Sequence, residues 1–175
     1  QAQIDATNMT AFRKRVEVDW GVSLPDTKAL WQFSVTEIEK FWTSVWDDAG
    51  IIAETRGTRV IDDAFKMPGA KWFPEARLNF AENLLRNRGD GEAMVFNGEN
   101  KVLRRLSFDQ VYDQVSLMAQ MLEGLGVGVG DRVCGYLPNM PETIIAMLAA
   151  NTLGAVWSST SPDFGEQGVL DRFGQ

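Results

Sequence analysis

From residue 91 onward the sequence alternates short apolar runs with amphipathic ones, and this order restricts the fold more than any other feature. Ala93 to Phe96 reads as a strand, Asn97-Gly98 as a turn, and Val102 to Leu106 as the returning strand of a hairpin. Ser107 and Gln110 have the spacing of a capping box. Behind them Phe108, Val111, Val115, Met118, Leu122 and Leu125 are spaced to line one face of a helix that Gly124 and Gly126 end. Arg132 to Leu137 follows as a short apolar strand. Pro141 to Leu153 reads as a helix apolar on most sides, and Gly154 stops it. Ala155 to Ser158 is a further strand, and Phe164 to Phe173 a further helix. Strand and helix in this βαβαβα order predict an α/β fold built on a parallel sheet with right-handed crossovers. Such a sheet needs several strands and cover on both faces. The series therefore reads as the truncated start of a larger α/β domain.

The preceding residues read differently. Met9, Phe12 and Val16 share a helical face, with Gly21 as a stop. Ile38, Phe41, Trp42, Val45 and Trp46 follow the i, i+3, i+4, i+7, i+8 spacing of an amphipathic helix. Ser34 and Glu37 offer a capping box, and Gly50 a C-cap. Between residues 51 and 90 the pattern is irregular, punctuated by Pro68, Gly69 and Pro74 around the pair Trp72-Phe73, with a short helix expected over Leu78 to Leu85. Two parts are thus expected: a helical N-terminal extension and arm over 1–90, and the start of the α/β domain over 91–175. Packing explains the tryptophan stripe better than ring stacking on a ligand.

Charge and composition exclude several functions. The net charge is −7 and the pI near 4.6, which leaves no basic footprint for nucleic acid or an anionic membrane. The 175 residues contain no histidine, so Ser-His-Asp and Cys-His catalysis are absent from them. A single cysteine, Cys134, cannot form an internal disulfide and fits a reducing, cytoplasmic setting. Its mid-strand position suggests a buried structural thiol. The longest apolar stretch, Thr143 to Val156, is shorter than the roughly 20 residues that span a bilayer. No signal peptide is visible, and Gln1 in place of Met suggests processing or cutting.

Several motifs invite a functional reading. Gly124, Gly126, Gly128 and Gly130 follow a helix and open a strand, the reverse of a dinucleotide loop, so a helix cap and turn is the reading. No phosphate loop of the G-x-x-x-x-G-K-[ST] type is present. In Leu137-Pro138-Asn139-Met140-Pro141-Glu142, Asn139 is placed to cap a helix, Pro141 to open it and Glu142 to meet its positive end. Ser158-Ser159-Thr160-Ser161-Pro162-Asp163-Phe164-Gly165 leaves the C-terminal end of a parallel strand, the edge where open α/β sheets bind ligands. Its hydroxyls either bind a phosphate or amide chain or simply cap the helix. The residues alone leave both open.

The run from Gly130-Asp131-Arg132-Val133 through Leu137 to Glu142 and on to Gly154-Ala155-Val156 resembles the acyl-CoA synthetases of the adenylate-forming superfamily. Trp72-Phe73-Pro74 with Leu78-Asn79-Phe80-Ala81-Glu82-Asn83-Leu84-Leu85 is similar to the acetoacetyl-CoA synthetase subfamily. So is Ser161 to Gly165 with Gly168-Val169-Leu170-Asp171-Arg172-Phe173-Gly174-Gln175. Acetyl-CoA synthetases carry an Asn-x-Leu-Asp-Arg-His-like block where this chain has Asn83-Leu84-Leu85-Arg86-Asn87-Arg88, which favours acetoacetate over acetate. The resemblance implies the large domain of an adenylate-forming ligase that uses ATP, Mg2+ and CoA. Acetoacetate would become an acyl-adenylate, with pyrophosphate released; the CoA thiol would then displace AMP. It also implies that the phosphate loop, magnesium site, acyl and adenine pockets and catalytic lysine lie in the remainder of the polypeptide, beyond residue 175. No catalytic or metal-binding residue is expected in this chain, and the isolated piece is expected to be inactive. Ser161, Pro162, Asp163 and Phe164 correspond to a loop that approaches CoA in acetyl-CoA synthetases, where a Gly-Gly pair aligns with Pro162-Asp163. Asp163 would repel CoA phosphates. The alternatives are a ligase for acetate, propionate or a longer acid, and a non-catalytic module that binds a partner or CoA.

Overall fold

A computed structural model describes residues 2–99 and 101–174. Gln1, and Gln175 of the final motif, lie outside the described residues. The chain divides into two compact units, the first ending at Leu78 and the second starting at Asn79.

The first unit holds α1 (Ala2–Asp5), α2 (Asn8–Trp20), α3 (Thr27–Thr36) and α4 (Ile38–Ala49), followed by the two-residue strands β1 (Ile61–Asp62) and β2 (Lys71–Trp72), which pair antiparallel. Thr7 caps α2 by accepting the Thr10 N–H, and Asp26 caps α3 by accepting the Ala29 N–H. Gly21 and Gly50 end α2 and α4 at φ 62° and 56°, a conformation costly for residues with a Cβ. Phe12, Val16, Leu24, Leu30 and Phe33 form the core, with Phe41 and Val45 of α4 against it. Each large side chain buried there stabilises by about 1.5–3 kcal/mol. Met9, expected on this face, is 57% exposed. Trp42 and Trp46 turn to the arm, with ring centroids 5.0 Å from Trp72 and 4.5 Å from Phe73. The tryptophan stripe is therefore packing. The box expected from Ser34 and Glu37 does not form. Ser34 lies inside α3 and donates to the Trp31 carbonyl, and Glu37 caps α4 without a side-chain bond.

The second unit runs α5 (Phe80–Leu84), β3 (Glu92–Gly98), β4 (Val102–Ser107), α6 (Phe108–Gly124), β5 (Arg132–Tyr136), α7 (Pro141–Thr152), β6 (Val156–Thr160), a 3-10 turn (Pro162–Phe164) and α8 (Gly165–Phe173). The division falls before α5 rather than at residue 90. Ala81 is fully buried in the second core, and Asn79 Nδ2 donates to the Asn151 and Thr152 carbonyls at 3.0 and 3.2 Å. The capping box of Ser107 and Gln110 is complete. Val111, Val115, Ala119 and Leu122 of α6 pack with Ile145, Leu148, Ala149 and Ala150 of α7. Leu125 lies past the end of α6 and is 74% exposed, so it does not join the inner face.

The sheet departs from the expected series. Among the described residues only β5 and β6 pair parallel, joined through α7, while β3 and β4 form a separate antiparallel hairpin. β4 is amphipathic, with Leu106 buried and Arg105 exposed, as suits a half-solvated hairpin. The hairpin register pairs Gly98 with Val102, so the turn begins at Glu99 (φ 54°) and not at Asn97-Gly98.

Candidate functional site

The candidate residues sit at the C-terminal edge of β5 and β6. The strands run in register from Arg132 opposite Val156 to Tyr136 opposite Thr160, and Leu137 N–H extends the ladder to the Thr160 carbonyl at 3.1 Å. Val133 and Trp157 point to the core beneath. Gly135 is small of necessity, because a Cβ there would stand 2.6 Å from the Trp157 ring. Residues of the opposite parity face out, and Cys134 is among them: it is exposed, not buried as its sequence position suggested. With Arg132, Val133, Val156, Ser158, Arg172 and Phe173 it lines an open cleft of about 410 Å3.

Beyond β6 the chain makes a tight turn. Ser161 caps the 3-10 turn: its Oγ accepts from the Asp163 N–H at 3.4 Å and donates to Asp163 Oδ2 at 2.9 Å. The Pro162 carbonyl accepts from the Tyr136 hydroxyl at 2.8 Å. Phe164, 53% exposed, lies with its ring centroid 5.3 Å from the Arg172 guanidinium. Arg172 also reaches the Ser159 carbonyl at 3.4 Å. The structure thus gathers Ser161, Pro162, Asp163 and Phe164 into one turn. Thr160 at its base is 95% buried, and its hydroxyl has no hydrogen-bond partner among the described residues. Sequence reasoning missed Tyr136 and Arg172. A tyrosine closing a strand at the ligand edge was the available signal; Arg172 gave none, because its role depends on α8 folding back along β6.

Across the edge, Pro141 opens α7 as expected, but Asn139 does not cap it. The cap position is Met140, without a side-chain bond, and the Thr143 hydroxyl donates back to the Pro138 carbonyl at 2.6 Å. Glu142 in the first turn pairs with Arg104 of β4. Partial burial pushes the Glu142 carboxyl up, and the hydrogen bond with Arg104 outweighs this, holding it below the ordinary carboxylate range. Its other oxygen, Oε2, is buried without a partner among the described residues. No group of three or more His, Cys, Asp or Glu side chains able to hold a metal comes together among the described residues. These residues do not build a magnesium site, and no step is routed through one here.

Residues 80–173, more than half of the chain, match the AMP-binding enzyme family. The chain belongs to that family. The match to the AMP-binding enzymes begins within two residues of the second unit's start at Asn79. Residues 27–84 match the acetyl-coenzyme A synthetase N-terminus family. The chain is 52% identical over 163 residues to the acetoacetyl-coenzyme A synthetase of Rhizobium meliloti (strain 1021), covering 90% of this chain and 25% of that protein. It is 40% identical over 172 residues to the acetoacetyl-CoA synthetase of Xenopus tropicalis, covering 97% and 26%. The solved structure of acetoacetyl-CoA synthetase from Streptomyces lividans superposes with a TM-score of 0.91 at 38% identity, over 99% of this chain and 28% of that one. This AMP-binding chain therefore spans about a quarter of the length of the curated relatives it matches. No helix among its described residues is long and apolar enough to cross a membrane.

Proposed function

We propose that the chain forms the opening quarter of an ATP-dependent ligase that joins acetoacetate to coenzyme A. The acetoacetate carboxylate attacks the α-phosphorus of ATP and expels pyrophosphate. The thiol of CoA then attacks the acyl-adenylate carbonyl, and AMP leaves with the bonding electrons while the thiol proton passes to solvent. The observation that carries this reading is the similarity to acetoacetyl-CoA synthetases along nearly the whole chain, in sequence and in structure alike.

This chain's own contribution is narrower than the reaction. Its second unit supplies the β5–β6 edge, and the turn from Ser161 to Phe164 is placed to meet CoA as that substrate enters. ATP, its magnesium and the acid are handled by the rest of the polypeptide. The test is acid-dependent ATP–pyrophosphate exchange by the full-length polypeptide, with acetoacetate, acetate and propionate compared at equal concentration. Acetoacetate is expected to be preferred. A faster exchange with acetate or propionate moves the reading to another short-chain acid. Absence of exchange with every acid leaves the non-catalytic module instead. The 175-residue chain alone is expected to show no exchange above background.

A further inference from the structure

We propose that Tyr136 is the positioning residue for the Ser161–Phe164 turn and thereby sets the affinity for the neutral amide-bearing chain of coenzyme A. The inference rests on the reading above that this turn meets CoA. Three side-chain ties hold the turn, and they differ in what they hold it to. The Ser161–Asp163 bond at 2.9 Å is internal and travels with the turn. The Arg172–Phe164 contact comes from α8, which contains no buried residue and follows the turn in the chain, so it moves with the turn as well. The Tyr136 hydroxyl bond to the Pro162 carbonyl, 2.8 Å long and 26 residues apart in sequence, is the tie to the sheet. Tyr136 closes β5 directly opposite Thr160, the last residue of β6. The ring therefore spans from a fixed strand to the middle of the turn.

The chemistry of the turn selects the part of CoA it faces. Proline at 162 has no N–H to offer, and its carbonyl is already occupied by Tyr136. Asp163 places a carboxylate there, which repels phosphates. The Ser161 hydroxyl and the Phe164 ring remain, a polar and an apolar contact suited to an amide-bearing chain. Tyr136 is half-exposed, so removing its hydroxyl opens no cavity.

The experiment uses the full-length polypeptide with Tyr136→Phe. The KM for CoA is expected to rise roughly twofold to tenfold, the fold-change for one lost neutral hydrogen bond. The same rise is expected with 3′-dephospho-CoA, because the turn does not read the phosphate. Acetoacetate-dependent ATP–pyrophosphate exchange serves as the internal measure of an intact fold. Loss of exchange in proportion to thioester formation assigns Tyr136 a purely structural role and overturns the proposal. An unchanged KM for CoA in Tyr136→Phe, with a raised one in Ser161→Ala, overturns it while the CoA reading of the turn stands. If neither variant moves that KM, the reading of the turn falls and the proposal with it.

Discussion

Ser44 in α4 offers the sharpest test of how the first unit is held together. It is 7% exposed, and its hydroxyl accepts from Trp20 Nε1 at 2.8 Å while donating to the Lys40 carbonyl at 3.0 Å. That single oxygen therefore ties the end of α2 to the middle of α4, across 24 residues of sequence. Ser44→Ala keeps the Cβ and removes the acceptor. A half-buried indole N–H without a partner costs about 1–3 kcal/mol. Alanine's better helix propensity returns about 0.5 kcal/mol. The net expectation is a loss of about 0.5–2.5 kcal/mol. Five of the six tryptophans (Trp20, Trp31, Trp42, Trp46 and Trp72) lie in this unit, so urea unfolding followed by tryptophan fluorescence reports on it. A double-mutant cycle with Trp20→Phe isolates the bond. With no indole N–H to orphan, Ser44→Ala should cost nothing in that background and even gain a few tenths of a kcal/mol. An equal loss in both backgrounds would refute the argument, as would a stabilised single variant.

Three further outcomes follow from the same geometry. Glu75 is held below the ordinary carboxylate range by the Thr58 N–H and Arg59, Asp109 by Arg88, and Glu142 by Arg104 against its partial burial. A carboxylate depressed in the folded state contributes stability above its unfolded value of about 4 and loses it as pH falls through the folded one. The thermal midpoint should stay level from pH 7 to about 5 and drop below about 4; a midpoint flat to pH 3 would contradict this. Gly135→Ala should destabilise by about 1–3 kcal/mol, because the new Cβ meets the Trp157 ring at 2.6 Å and Leu137 Cδ1 at 3.2 Å; wild-type stability in a denaturant melt would show that β5 yields without cost. Cys134 is exposed, so a colorimetric disulfide reagent should titrate the chain's one thiol without denaturant, and no reaction would place the thiol inside.

What the sequence disclosed and what it concealed divide by range. The Ser107–Gln110 box, Pro141 at the start of α7, and Gly21 and Gly50 at helix ends act within four residues, and each is where its local chemistry requires. Local signals failed where two readings share a spacing. Ser34 and Glu37 fit a capping box, but the periodicity of α3 runs through Ser34 and leaves only Glu37 to break the helices. Strand partners were harder still. Nothing within β4 says whether it joins β3 or β5; the choice follows from the hairpin closing first in sequence and leaving β5 to pair across α7. The candidate site repeats the division at small scale. Ser161 before Pro162 announces a capped turn at a ligand edge, and the turn forms as that pairing requires. Which of its groups remain free for a ligand is decided by Tyr136, 26 residues earlier, because it occupies the Pro162 carbonyl. A turn whose carbonyl is already bonded presents a hydroxyl, a ring and a carboxylate outward. That set disfavours an anion and favours a neutral chain, a selection no local motif encodes.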